Sequence, residues 1–239
     1  MEQNPVRQKV LGVLGGMGPL ASAEFVKTIY EFGTGLREQQ APFVLLYSDP
    51  SFPDRTETIL ERSCEPMQSR LLAALSRLRQ HGASKIVICC VTSHHFLPGL
   101  PDQVRSEIIS LVEVTLNEVS RQRKRHLLLC STGTRRAEVF ESHPMWPVCK
   151  DYFVIPDDAD QRVIHDDVIY QIKKNQDVRK LVPSIERLLS KYGVDSFIAG
   201  CTEIHLLVKH ILAVRGQDLR QGFIDPLITI AKKVATGEI

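Results

Sequence analysis

The chain has 239 residues, 43% of them apolar and 24% charged. That balance supports a sizeable core and excludes disorder, collagen and a disulfide-stapled miniprotein. Thirty Lys and Arg against 28 Asp and Glu leave a formal charge of +2, so no large field points to nucleic acid or an anionic membrane. No stretch reaches the roughly 18 apolar residues of a membrane span. The run Val10–Leu14 ahead of Ala21-Ser22-Ala23 superficially imitates a signal peptide, but its glycines and Pro19 make it a better strand and turn. The expectation is a soluble, cytoplasmic protein. Its six cysteines (64, 89, 90, 130, 149 and 201) read as reduced thiols, because the chain is long and several sit at the ends of apolar runs.

In chain order, Val10–Leu14 is a strand that breaks into Gly15-Gly16-Met17-Gly18-Pro19. A helix follows to about Phe32, with Pro19 or Leu20 in its first turn. Phe43–Ser48 is a second strand, closed by a proline-bounded loop. From Pro66 a helix places Met67, Leu71, Ala74, Leu75 and Leu78 on one face and ends at Gly82. Ile86–Cys89 is the next strand, and Ile108–Val112 reads either as a short strand or as a helix start. The basic stretch Arg121–His126 reads as a solvated linker and lobe boundary.

The pattern then restarts. Leu127–Cys130 runs into the small-residue turn Ser131-Thr132-Gly133-Thr134, and Phe153–Ile155 is a strand closed by the polar loop Pro156–Asp160. A helix through Val182, Ile185, Leu188, Leu189 and Tyr192 ends at Gly193, before the strand Phe197–Ala199. Strands that are apolar throughout, alternating with helices, predict α/β architecture: two similar lobes, each a mostly parallel sheet flanked by helices, related by a pseudo-twofold about a cleft. The expected division is 1–117 plus 209–239 for the first lobe and 118–208 for the second.

A repeat carries the chemistry. Gly82-Ala-Ser-Lys-Ile-Val-Ile-Cys-Cys-Val-Thr-Ser-His94 aligns without a gap on Gly193-Val-Asp-Ser-Phe-Ile-Ala-Gly-Cys-Thr-Glu-Ile-His205. Glycine, Cys90/Cys201 and His94/His205 all match at an offset of 111. Each cysteine falls just past the carboxyl end of a buried strand, where open α/β sheets bind ligands. A following helix N-terminus would favour the thiolate. Two such thiols facing one cleft can take a proton from one side of a carbon and return one to the other.

Two other readings compete. Cys90/His94 and Cys201/His205 have a spacing that could ligate zinc, but neither half has a close Cys-x-x-Cys clip, so each histidine reads as a partner for its cysteine or a structural residue. Gly16-Met17-Gly18-Pro19-Leu20-Ala21 with Asp49 formally fits a dinucleotide fingerprint, which leaves the repeat unexplained.

Gly15-Gly16-Met17-Gly18-Pro19, Pro53-Asp54-Arg55-Thr56, Cys90-x-Thr92-x-His94 and Gly200-Cys201-Thr202-Glu203-Ile204 together resemble the aspartate/glutamate racemase superfamily, closest to its aspartate racemase branch. The resemblance implies two similar lobes, commonly as a homodimer, and racemisation of a small acidic amino acid without pyridoxal phosphate or metal. It also implies that Cys90 and Cys201 are the paired acid and base. Arg55 resembles the arginine that holds the side-chain carboxylate, and a guanidinium fork suits that task. Lys173 resembles a second carboxylate-binding cation, and Thr92 and Thr202 resemble ligands for the α-substituents. Glu203 resembles the acidic residue beside the second cysteine, able to attract the ammonium or assist proton transfer. Met17 and Thr132, in the two matching turns, complete the implied substrate-binding set.

One departure stands out: the family usually has Asn where this chain has Val91. The lost polar contact leaves the substrate open between aspartate, glutamate and another dicarboxylate. The alternatives are a cofactor-free dicarboxylate isomerase or decarboxylase and a non-catalytic binder of acidic metabolites.

Overall fold

Residues 9–33, 37–215 and 222–239 are described by a computed structural model of the chain; residues 1–8 and 216–221 of the expected first lobe lie outside them. The chain runs β1 (Val10–Gly15), α1 (Pro19–Phe32), β2 (Phe43–Ser48), α2 (Arg55–Leu60), α3 (Cys64–Gln80) and β3 (Ala83–Ile88). It continues through α4 (Leu111–Gln122), β4 (His126–Leu129), α5 (Thr132–Arg136), β5 (Phe153–Val154), α6 (Val182–Lys191), β6 (Ser196–Ala199), α7 (Ile204–Arg215), β7 (Gly222–Ile224) and α8 (Pro226–Ala235). A π-helical turn, Val163–Ile169, and the short helix Tyr170–Lys173 lie between β5 and α6.

The strands form two parallel sheets, ordered β2-β1-β3 and β5-β4-β6-β7. Both faces of each sheet are covered, and the period-2 alternation of a strand sorts its side chains between them. Val13 and Val87 of the first sheet, with Leu128 and Ile198 of the second, point into one shared core. Phe25 and Ile29 of α1, Leu116 and Val119 of α4, and Ile230 and Val234 of α8 fill that core. Leu14, Ile86 and Ile88 point outward beneath Leu71 and Leu75 of α3. Leu127, Leu129, Phe197 and Ala199 do the same on the second sheet, beneath Ile185 and Leu189 of α6. The lobes are therefore joined by a common layer of helices.

The predicted apolar stripe of α3 is buried at all five positions. Gly82 and Gly193 have φ of +93° and +61°, left-handed turns that a side chain would strain. The ambiguous Ile108–Val112 segment does both things: Ile108 bridges Ile86 in parallel, and α4 starts at Leu111 behind a Ser110 cap.

The reading of Arg121–His126 as a solvated linker is corrected. α4 extends to Gln122, and His126 is the first residue of β4, fully buried with Nδ1 2.6 Å from Ser196 Oγ. Burial drives its pKa down to about 4, so it is a neutral core residue that composition had grouped with the basic stretch. In the segment 209–239, β7 pairs with β6 in the second sheet, while α8 packs on α1. No helix of the described residues is long and apolar enough to cross a membrane.

Candidate active site

The connections leaving β1 and β3 diverge, as do those leaving β4 and β6, and such switch points open a crevice at the carboxyl ends of a parallel sheet. The glycine turn and Cys90 leave the first crevice; Ser131 and Cys201 leave the second. The repeat is realised to the residue, because β3 ends at Ile88 and β6 at Ala199, each two residues before its cysteine. Strand parity then sets direction. Cys89 and Val91 share the parity of Val87 and lie in the shared core, while Cys90 follows Ile86 and Ile88 to the opposite face. Val91, 1% exposed, packs in that shared core.

Cys90 and Cys201 are each 6% exposed, and Cys90 lies close enough to add to the upward shift of the Cys201 thiol. The Cys201 thiol donates to Glu203 Oε2 at 2.8 Å. Burial first, and the Glu203 carboxylate second, push this thiol well above its ordinary range; Lys173 opposes them more weakly. The expected thiolate-favouring setting is therefore corrected at Cys201. α7 begins only at Ile204, and an adjacent carboxylate outweighs its dipole. Behind Cys90 lies a 3-10 segment, Thr92–Gly99, in place of an α-helix. The second carboxylate oxygen of Glu203 is buried without a hydrogen-bond partner, directly over Gly18, where a Cβ would overlap it.

Arg55 is buried, which removes the reading of a solvated loop arginine. Its Nη1 donates to the Pro53 carbonyl at 2.8 Å and its Nη2 to the Met17 carbonyl at 3.1 Å. Burial alone would lower its pKa; Cys90, Asp54 and Glu203 around it outweigh burial and raise it. Lys173 balances in the same way, lowered by burial and raised further by Glu203 and Cys201. Its ammonium lies 4.4 Å from the Tyr170 ring centroid and 3.9 Å from Asp54 Oδ2. Met17 contributes its carbonyl to Arg55, while its sulfur accepts from Ser93 Oγ at 3.2 Å.

Cys90, Cys201, Arg55, Glu203 and the Met17 carbonyl thus meet in one buried cluster, with the half-buried Lys173 at its edge. The three threonines do other work. Thr92 Oγ1 lies 3.0 Å from Ser131 Oγ and 2.8 Å from Thr134 Oγ1, a buried hydroxyl triangle linking the strand ends of the two sheets. Thr202 Oγ1 donates to the Cys89 carbonyl at 3.2 Å, a second such link. Thr132 gives its backbone N–H to His165 Nδ1 at 3.2 Å, and burial lowers the pKa of His165 so that it stays an acceptor.

Of the two readings offered for the histidines, the structural one holds and the cysteine partnership does not. His94 Nδ1 lies 3.1 Å from the Cys90 carbonyl, and its Nε2 accepts from Leu111 N–H, an arrangement that leaves the thiol alone. His205 is fully buried between Asp225, 2.7 Å away, and Thr28, 3.1 Å away. Among the described residues no group of three or more His, Cys, Asp and Glu is placed to hold a metal ion. Asp49, the candidate ribose ligand, binds Ser51 within its own turn and Arg70 of α3.

Sequence reasoning missed Asp54 and Tyr170, and both were in view. Asp54 precedes Arg55 and caps α2, its Oδ1 accepting from Thr56 N–H at 2.8 Å and Glu57 N–H at 3.2 Å. Tyr170 is one turn before Lys173 and donates its hydroxyl to Asp54 Oδ2 at 2.8 Å. An Asp-x-x-Glu start at residues 54–57 is a legible cap signal, whereas the pairing of Asp54 with Tyr170 needs the fold.

The sequence profile of the Asp/Glu/hydantoin racemases matches residues 14–233. A broad specificity amino-acid racemase of Bacillus subtilis is 20% identical over 217 residues, covering 84% of this chain and 88% of that protein. Among solved structures, Picrophilus torridus aspartate racemase superposes with a TM-score of 0.77 at 24% identity, over 95% of this chain and 94% of that one. An aspartate racemase homologue from Pyrococcus horikoshii gives 0.63 at 20% identity, over 96% and 98%. These similarities share the two-lobed α/β fold described above.

Proposed function

Because the chain belongs to the Asp/Glu/hydantoin racemase family, a family of isomerases, we propose that it inverts Cα of a small acidic amino acid through Cys90 and Cys201. Aspartate is the first candidate and glutamate the second. The observation that carries this reading is the buried pair of thiols in unlike settings, Cys201 hydrogen-bonded to Glu203 and Cys90 beside Arg55.

In this reading Cα lies between the two sulfurs. When Cys90 as thiolate takes the Cα proton, Cys201, held protonated by burial and Glu203, delivers its proton to the opposite face. In the reverse sense, starting from the state that this step leaves, Cys201 as thiolate takes the Cα proton and the Cys90 thiol delivers its own to the opposite face. Arg55 holds the side-chain carboxylate, and the negative charge that develops on the α-carboxylate meets Lys173 and nearby backbone N–H groups, preorganised donors in a site largely closed to water. The unpartnered oxygen of Glu203 is an acceptor suited to the substrate ammonium. A homodimer, implied by the resemblance, belongs to this reading and is checked by light scattering.

The test is incubation with L- and D-aspartate, then L- and D-glutamate, in D2O without added cofactor, following loss of the α-proton by NMR. Exchange with both enantiomers, faster for aspartate, is expected. A panel of neutral amino acids controls for the wide range named for the Bacillus relative. No exchange with any amino acid would contradict the reading and favour the dicarboxylate binder.

A further inference from the structure

Two cations that serve one ligand from opposite lobes need a fixed separation, and the structure contains the group that fixes it. Asp54 uses both carboxylate oxygens across the lobe boundary. One oxygen caps α2, the helix whose first residue is Arg55; the other accepts the Tyr170 hydroxyl at 2.8 Å and lies 3.9 Å from the Lys173 ammonium. The Tyr170 ring in turn carries the Lys173 ammonium on its face. The path from guanidinium to ammonium is thus one peptide bond, one hydrogen bond to a carboxylate and one cation–π contact. A second contact reinforces it: a Cβ on Gly133 would lie 2.9 Å from Thr56 Cα, so α2 rests directly on the first turn of α5. Asp54 remains ionised in this position, because Tyr170, the α2 N–H groups and Lys173 outweigh its burial.

We propose that Asp54 and Tyr170 form a strap that sets the spacing of Arg55 and Lys173, and so the length of dicarboxylate the cleft accepts. The inference rests on the reading above, in which those two cations hold carboxylates. Asp54 and Tyr170 are positioning residues: their groups act through the cations. One methylene distinguishes the four-carbon from the five-carbon ligand. With the strap made, the cations cannot separate to admit the longer one without breaking the Tyr170–Asp54 bond. With the strap cut, they can.

Succinate and glutarate, which lack an α-amino group, report on this spacing without catalysis. Calorimetric titration of the intact protein is expected to show succinate bound about tenfold or more tighter than glutarate, the range for one misfitted methylene. Tyr170→Phe leaves the α2 cap in place and is expected to bring the two affinities within about threefold, where the wild-type preference of about tenfold corresponds to about 1.4 kcal/mol. Asp54→Asn is expected to do the same, with folding checked by circular dichroism. A general structural loss would weaken both ligands alike and leave the ratio unchanged. No preference in the wild type, binding of neither ligand, or an unchanged ratio in Tyr170→Phe would overturn the strap. Aspartate racemisation assayed on the same wild-type sample keeps the two ideas apart. Racemisation with an unchanged ratio overturns the strap alone, and the expected ratio without racemisation overturns the proposed reaction alone.

Discussion

Glu203 holds the Cys201 proton with one oxygen and leaves the other facing Gly18. A negative charge at this distance disfavours the thiolate, so its removal should lower the Cys201 pKa. Racemisation needs one thiol protonated and one ionised, and loses rate on the alkaline side when the second proton leaves the pair. Glu203→Gln should therefore move the alkaline limb of the kcat/KM profile to lower pH, together with the thiolate absorbance titration. A limb that stays in place or moves up would remove Glu203 from its proposed role. Gly18→Ala presses a methyl group onto the same carboxylate. It should reduce kcat/KM by about 10²-fold or more, the usual span for a misplaced proton-transfer group, while the far-ultraviolet circular dichroism stays that of the wild type.

α2 is a six-residue helix with an outsized task, since it carries Arg55 and is pinned to the second lobe by Tyr170 and by its contact with Gly133. Gly133→Ala inserts a methyl group against Thr56, and overpacking of this kind costs about 1–3 kcal/mol. Urea denaturation should show that loss at an unchanged m-value; a variant as stable as the wild type would mean that α2 is not seated there. Elements of this kind mark the boundary of what the sequence discloses. β1, β2, α1 and the two glycine–strand–cysteine units were legible because glycine, proline and apolar runs act locally. Strand parity even explains why Cys90 and Cys201 leave the core that Cys89 and Cys130 occupy. The partners of Asp54 and His205 were not legible, because they lie 116 and 177 positions away in the chain. His126 was misread for a related reason. Its burial depends on β4 pairing with β6, which brings Ser196 to its ring nitrogen.

At the scale of the whole molecule, the two sheets share one core through α1, α4 and α8, and buried polar links cross it. The Thr28–His205–Asp225 chain and the Thr92–Ser131–Thr134 triangle are the clearest of these. A cleft built this way holds its walls in register, as a reaction between two fixed sulfurs requires. Unfolding should accordingly be a single cooperative transition by fluorescence and circular dichroism, and Phe25→Ala, at the centre of the shared layer, should shift all of it by about 3–5 kcal/mol. Two separated transitions would contradict a shared core. The proposed proton transfer between two thiols across the cleft is checked by racemisation of L-aspartate by Cys90→Ser and by Cys201→Ser. Each substitution alone is expected to lower the rate of D-aspartate formation by about 10²–10⁴-fold, the contribution of a positioned acid or base, while the fold is retained. Near-wild-type racemisation by either variant would contradict it.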